Sequence, residues 1–84
     1  MKNIIMYTGP FCSFCEAAKR LFKRNNLNFE EIDISMEESL RDEMIKKSNG
    51  KRTIPQIFFD NYHVGGYVEL RELEKNGTLK GLLE

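Results

Sequence analysis

A short apolar run at residues 3–7 is followed at once by Gly9-Pro10 and then by a segment of helical periodicity. The run predicts a buried strand that the Gly-Pro pair ends. In residues 13–25, one face collects apolar side chains and the other collects charges, which is typical of an amphipathic helix. The apolar positions are Phe14, Ala18, Leu21 and Phe22. Residues 28–34 predict a second strand, so the chain opens with a β-α-β unit, which joins parallel strands by a right-handed crossover.

A second helix is expected between Ser35 and about Ser48. Ser35 and Glu38 have the spacing of a capping box, in which each side chain bonds the backbone amide of the other residue. Asn49-Gly50 supplies the stop signal. The stripe formed by Met36, Leu40 and Met44 is expected to face the core.

The second half of the chain predicts a hairpin and two further helices. Residues 54–59 and 62–64 are strand-like and flank the turn signal Asp60-Asn61, so they must pair antiparallel. Residues 68–76 and 78–83 predict helices separated by Gly77. The order β-α-β-α-β-β-α-α predicts an α/β fold in which a four-stranded mixed sheet carries helices on both faces. With 84 residues in all, we expect one domain spanning residues 1–84.

Charge and hydropathy exclude several functional classes. Lys and Arg number 13 and so do Asp and Glu, whereas general nucleic-acid binding needs clustered excess positive charge. No apolar run approaches the roughly 18–20 residues of a membrane span. The amino-terminal residues show no signal-peptide pattern, so a cytoplasmic location is expected.

The chain has two cysteines, Cys12 and Cys15, and they lie where the first strand gives way to the first helix. A helix amino terminus carries partial positive charge and unpaired amides, both of which stabilise a thiolate. Cys12 is therefore expected to be the exposed nucleophile and Cys15, one turn further on, the shielded resolving thiol. The alternatives are two inert structural cysteines or part of a zinc site. Zinc requires four ligands, and His63 is the one other soft candidate. No metal is needed for thiol chemistry.

Four motifs in this order resemble the glutaredoxin family, most closely its short bacterial dithiol members. They are Met6-Tyr7-Thr8, Cys12-Ser13-Phe14-Cys15, the segment 53–58, and Gly65-Gly66. The resemblance covers nearly the whole chain. It implies the thioredoxin fold and a glutathione-dependent disulfide oxidoreductase that acts as a monomer on disulfide-bonded or glutathionylated proteins.

The resemblance also implies a glutathione site. Pro55 matches the cis-proline of the family, which turns the backbone of Ile54 towards the reactive sulfur. Gly66 matches the second glycine of a pair at a helix start, where backbone amides receive the γ-glutamyl carboxylate. The implied glutathione-binding residues are Phe14, Thr53, Ile54, Pro55, Gly66, Tyr67 and Val68.

Three positions depart from the family pattern. Gly9 stands where the family often has Lys, although Lys51 or Arg52 could supply the missing charge. Val68 replaces an Asp or Thr, so Glu69 is expected to meet the γ-glutamyl ammonium instead.

The third departure, Ser13 in place of Pro, leaves open a second function, that of a [2Fe-2S] carrier in which a glutathione-ligated dimer holds the cluster with one cysteine from each chain. A third possibility is a substitute for thioredoxin that is reduced by a flavoprotein reductase, although the glycine pair and the segment Thr53-Ile54-Pro55 favour glutathione.

Overall fold

The computed structural model describes all residues, 1–84, and contains four strands and four helices in the predicted order. The strands are β1 (Ile4–Thr8), β2 (Glu30–Asp33), β3 (Gln56–Phe59) and β4 (Tyr62–Gly65). The helices are α1 (Ser13–Arg24), α2 (Glu38–Lys47), α3 (Tyr67–Lys75) and α4 (Leu79–Leu83). The helices are all too short or too polar to span a lipid bilayer.

The strands form one mixed sheet in the order β2-β1-β3-β4. β1 pairs parallel with β2, as a β-α-β unit requires, and antiparallel with β3. β3 and β4 form the predicted antiparallel hairpin around a turn at Asp60, which has a positive φ of 52°. The predicted thioredoxin-like arrangement of the sheet is therefore confirmed.

Apolar side chains cover both faces of this sheet. The larger cluster joins β1, β3 and β4 to α1, α3 and α4, with Leu21, Phe22 and Leu70 fully buried. A smaller cluster lies on the opposite face and packs Met44 of α2 against Tyr7 and Phe58. The Tyr7 hydroxyl also donates a hydrogen bond to Glu43, which fastens α2 to the sheet.

The prediction for the start of α2 is wrong. Ser35 does not cap the helix, because its amide and hydroxyl both donate to the Asp33 carboxylate in a local turn. The helix begins at Glu38 instead, and its preceding residue makes no side-chain capping bond. Met36 consequently lies outside the helix and is 73% exposed, so it is not part of the core stripe.

Two strands start two residues later than predicted. β2 starts at Glu30 rather than at residue 28, and Phe29 packs against the larger core cluster from outside the strand. β3 starts at Gln56 rather than at residue 54, because the residues before Gln56 form a turn that contains the cis Ile54–Pro55 peptide.

Candidate active site

Strand register brings three separated chain segments to one edge of the sheet. Tyr7 of β1 is paired with Gln56 of β3, so the residues after β1 lie beside those before β3. Ile57 is paired with Gly65, so the end of β4 reaches the same edge. The cysteine motif, the turn at residues 53–55 and the start of α3 therefore meet there.

Cys12 occupies the amino-terminal cap position of α1. Its extended backbone (φ −118°, ψ 102°) lets the sulfur accept a hydrogen bond from the Cys15 amide at 3.1 Å. The sulfur also lies 3.8 Å from the Ile54 carbonyl oxygen and is partly exposed. One free amide of the first helical turn, that of Cys15, therefore points at this sulfur.

Cys15 lies one helical turn further along and is only 1% exposed. Both cysteines are free thiols. Burial raises the pKa of the Cys15 thiol to about 12, and its hydrogen bond with Cys12 acts in the same direction. An apolar surrounding disfavours the charged thiolate, so Cys15 is held in its neutral form.

Phe11 precedes this pair and has two unusual properties. Its side chain is fully exposed, and its backbone has a positive φ of 55°, which bulky residues adopt rarely. This residue lies in the turn between β1 and α1, directly before the partly exposed Cys12.

A groove of about 280 Å³ runs along this edge of the sheet. All seven residues for which the sequence implied glutathione binding line it. They are Phe14, Thr53, Ile54, Pro55, Gly66, Tyr67 and Val68, and Glu69 is the one further lining residue. Phe14 is 57% exposed and stacks on Tyr67 with ring centres 6.0 Å apart, so it is a groove residue rather than a core residue.

The glycine pair has a separate role for each member. Gly65 has a φ of 117°, a conformation that favours glycine, and a Cβ there would lie 2.8 Å from Glu69 Oε1, so a side chain would also displace the Glu69 carboxylate. Gly66 is the cap residue of α3, and its amide donates to Glu69 Oε1 at 2.7 Å. The next two amides, of Tyr67 and Val68, are at the helix start and have no intrahelical acceptor. The bond to the Gly66 amide already occupies one carboxylate oxygen of Glu69, and the sequence did not predict this bond.

Gly9 leaves space for Ile54. A Cβ at Gly9 would lie only 2.7 Å from Ile54 Cδ1, so a side chain there would force the end of the Ile54 side chain, which lines the groove, to move. Lys51 lines a neighbouring polar cavity of about 410 Å³, which shares Thr53, Gly66 and Glu69 with the groove. Arg52 lines neither cavity.

Sequence reasoning missed Gln56, which is 3% exposed and makes two hydrogen bonds to Thr53 of the groove wall. The available signal was a polar residue at the start of an otherwise apolar strand directly after Pro55.

No group of three or more His, Cys, Asp or Glu side chains in the structure could hold a metal ion. His63 stacks on Phe58 and contacts Gln56, and no hydrogen bond joins it to either cysteine. The zinc alternative therefore has no four-ligand site within this chain.

Comparison with known proteins gives a consistent result. The glutaredoxin family model matches residues 4–64. The chain is 47% identical to glutaredoxin 1 of Rickettsia prowazekii over 85 residues, covering 100% of this chain and 90% of that protein.

Solved structures agree with this assignment. The solution structure of glutaredoxin from Brucella melitensis is 44% identical, has a TM-score of 0.85, and is matched over 99% of this chain and 89% of its own. The fold also superposes on a buckwheat glutaredoxin–glutathione complex with a TM-score of 0.86 and 22% identity, over 98% and 76% of the two chains. The chain belongs to the glutaredoxin family of thiol–disulfide oxidoreductases.

Proposed function

We propose that this protein uses glutathione to reduce glutathione mixed disulfides and protein disulfides, with Cys12 as nucleophile and Cys15 as resolving thiol. The observation that carries the proposal is the groove beside the Cys12 sulfur, which is lined by all seven residues expected to bind glutathione. The buckwheat relative is described in complex with glutathione, which supports the same ligand here.

The groove offers glutathione three kinds of contact. The backbone of Ile54 can pair with the extended cysteinyl residue of the tripeptide, in the manner of an added strand. The free amides of Tyr67 and Val68 at the start of α3 can receive the γ-glutamyl carboxylate, because a helix amino terminus favours anions. The stacked rings of Phe14 and Tyr67 supply an apolar surface between these polar ends.

Reduction of a glutathione mixed disulfide needs Cys12 alone. The Cys12 thiolate attacks the glutathione sulfur, the disulfide bond breaks, and the protein thiolate leaves and takes up a proton. A second glutathione thiolate then attacks the glutathione sulfur of the Cys12 mixed disulfide. This releases oxidised glutathione and the Cys12 thiolate, so one free glutathione is consumed for each protein thiol that is released.

Reduction of a protein disulfide uses both cysteines. The Cys12 thiolate attacks one sulfur of the substrate disulfide, and the other substrate sulfur leaves as a thiolate. The Cys15 thiolate then attacks the Cys12 sulfur of this mixed disulfide and expels the substrate sulfur that is bonded to Cys12. The resulting Cys12–Cys15 disulfide is returned to the dithiol by two glutathiones. We place these reactions in a reducing compartment such as the cytoplasm, since an isolated C-x-x-C pair serves redox chemistry there.

Substitution of each cysteine tests the assignment. Cys12→Ser should abolish turnover of both substrate classes, because Cys15 is buried. Cys15→Ser should retain reduction of a glutathionylated peptide and lose most reduction of a protein disulfide. Both activities are measured in assays coupled to NADPH through glutathione reductase.

Two outcomes would contradict the proposal. Activity retained by Cys12→Ser and lost in Cys15→Ser would reverse the two roles. Turnover with a flavoprotein thioredoxin reductase, and none with glutathione and its reductase, would favour the thioredoxin-substitute function instead.

A second candidate function is transfer of a [2Fe-2S] cluster, and the observation that favours it is Ser13. This residue follows the partly exposed Cys12 as the first residue of α1 and lacks a proline ring. A cluster held by Cys12 needs ligands from a second chain and from glutathione, because this chain alone offers no further metal-binding group.

Anaerobic reconstitution with iron, sulfide and glutathione tests this function. A cluster-bearing dimer should show visible absorbance, and Ser13→Pro should reduce its yield. A colourless monomer would contradict the carrier function and leave the reductase function unaffected.

A further inference from the structure

Gln56 is a buried polar residue whose hydrogen-bonding groups are fully used. Its Nε2 donates to the Thr53 carbonyl oxygen at 3.0 Å and to the Thr53 hydroxyl oxygen at 3.1 Å. Its Oε1 lies 2.7 Å from Nε2 of His63. A buried amide is costly without partners, so these contacts fix the rotamer of Gln56 as well as satisfying it.

The contacts of Gln56 close the turn that forms one wall of the groove. Thr53 is exposed and lies outside any strand, so Gln56 is the residue that fastens it to the edge of β3. Thr53, Ile54 and Pro55 line the groove, whereas Gln56 does not. Because the Ile54 carbonyl oxygen is 3.8 Å from the Cys12 sulfur, the conformation of this turn sets the distance between groove wall and nucleophile.

His63 orients the Gln56 amide. The Thr53 carbonyl can only accept, so the NH2 of Gln56 must face Thr53 and its oxygen must face His63. His63 then donates through Nε2–H. Its ring is held in place by stacking on Phe58, with centres 4.7 Å apart and planes 22° apart.

We propose that Gln56 is a positioning residue for thiol exchange. It holds the wall at residues 53–55 in the geometry that binds the glutathione part of a mixed disulfide, and His63 fixes its amide orientation. This inference rests on the proposed glutathione-dependent function. Gln56 acts through Thr53 and Ile54 and does not touch the reacting sulfurs.

The first test replaces Gln56 by Leu, which keeps the approximate volume and removes both hydrogen-bonding groups. Loss of these bonds should raise KM for a glutathionylated peptide by about threefold to tenfold. The value of kcat and the rate of Cys12 alkylation by iodoacetamide should stay within about twofold, because the hydrogen bond from the Cys15 amide to the Cys12 sulfur is unchanged. A merely structural role would lower the melting temperature without this separation of KM from kcat.

The second test compares His63→Phe with His63→Gln. Phe keeps the stacking on Phe58 and removes the donor, whereas Gln restores a donor. We expect KM to rise by about twofold to threefold in His63→Phe, as for loss of one neutral hydrogen bond, and to return towards the wild-type value in His63→Gln.

Unchanged KM in both Gln56→Leu and His63→Phe would overturn the positioning role. If Gln56→Leu does not fold, the His63 pair decides alone, and a KM that does not differ between His63→Phe and His63→Gln overturns it. Failure of the wild-type protein to turn over glutathionylated peptide would instead refute the proposed function, so the two failures are distinguishable.

Discussion

Cys12 and Cys15 are three positions apart, yet their surroundings differ. Cys12 lies at the amino-terminal cap of α1, where its sulfur is partly exposed and accepts an amide hydrogen bond. Cys15 faces the core and is 1% exposed. The same helix thus provides one thiol that substrate can reach and one that is shielded, which is the difference that a nucleophile and a resolving thiol require.

The buried thiol predicts a pH dependence for the resolving step. Burial raises the pKa of the Cys15 thiol to about 12, so its thiolate is scarce at neutral pH. The thiolate fraction below a pKa rises about tenfold per pH unit. Attack of Cys15 on the Cys12 sulfur of the Cys12–glutathione mixed disulfide, which releases glutathione, should therefore accelerate between about pH 6 and 9. Quenched-flow measurement of glutathione release from Cys12-glutathionylated protein checks this.

Cys15→Ser provides the control for that measurement, since it removes the attacking sulfur and should release no glutathione. A release rate that stays constant over the pH range would show that proton loss from Cys15 does not limit the step.

At the scale of elements, α3 contributes its amino terminus to the groove. Gly66 caps the helix, and Glu69 accepts the cap amide at 2.7 Å, while Tyr67 and Val68 present free amides. Glu69 also lines the groove where the γ-glutamyl ammonium is expected, so its carboxylate has two possible roles: accepting the cap amide and binding the ammonium. A neutral Gln separates these roles, since Gln can accept the cap amide at the N3 position of a helix as Glu does.

Glu69→Gln should keep the cap and remove the carboxylate charge from the groove. We expect KM for a glutathionylated peptide to rise by about twofold, and Val68→Asp to lower KM by supplying an acceptor to the ammonium. The contact is exposed, so each effect should be on the order of 1 kcal/mol or less. In the Val68→Asp background, Glu69→Gln should have a smaller effect. If Glu69→Gln leaves the kinetics unchanged in both backgrounds, the ammonium is solvated by water rather than bound by the carboxylate.

At the scale of the whole molecule, an ion pair joins α1 to α3 behind the site. Arg24 donates from Nε and Nη2 to the two oxygens of Glu74, at 2.9 and 2.7 Å, and Asn25 donates to the same carboxylate at 2.7 Å. Arg71 lies 3.3 Å from it. The two-bond geometry connects the helices that carry the cysteines and the groove amides, and is among the stronger ion-pair arrangements.

This pair predicts a specific loss of stability in acid. The Arg24 guanidinium is the largest cause that lowers the pKa of Glu74 to about 2, below its ordinary value near 4.5. Because the pKa of Glu74 is lower in the folded than in the unfolded protein, its ionised carboxylate stabilises the folded protein at pH values above about 4.5. This stabilisation is lost as the pH falls from about 4.5 towards 2. Glu74→Gln should therefore lower the free energy of unfolding by about 1 kcal/mol at pH 7 and have less effect near pH 2.

Urea denaturation followed by circular dichroism at several pH values measures this effect. Glu72→Gln is the matched control, because Glu72 is an exposed carboxylate of the same helix without an ion pair. Stability curves for Glu74→Gln and the wild type that stay parallel from pH 7 to pH 2 would contradict the prediction.

The sequence by itself determined the order of the elements, the parallel pairing of β1 with β2, the β3–β4 hairpin and the position of the cysteine motif. Hydrophobic period, turn residues and short connections are local properties, and they allow few topologies for a chain of this length. The groove residues could be predicted only through the family resemblance, because no local sequence pattern shows that residues 54 and 66 lie close to residue 12 in space. The start of α2 was predicted wrongly because a local pattern was misleading. Ser35 and Glu38 match a capping box, but Ser35 donates its hydrogen bonds to Asp33 instead.

Tertiary structure alone decided how the groove is held in place. The registers Tyr7 with Gln56 and Ile57 with Gly65 bring distant segments to one edge, and register depends on the packing of whole faces. The same holds for the fit of Ile54 over Gly9 and for the bonds of Gln56 with Thr53 and His63. These contacts depend on how buried polar groups find partners and how side chains fill space, and both are settled when the sheet and its helices pack together.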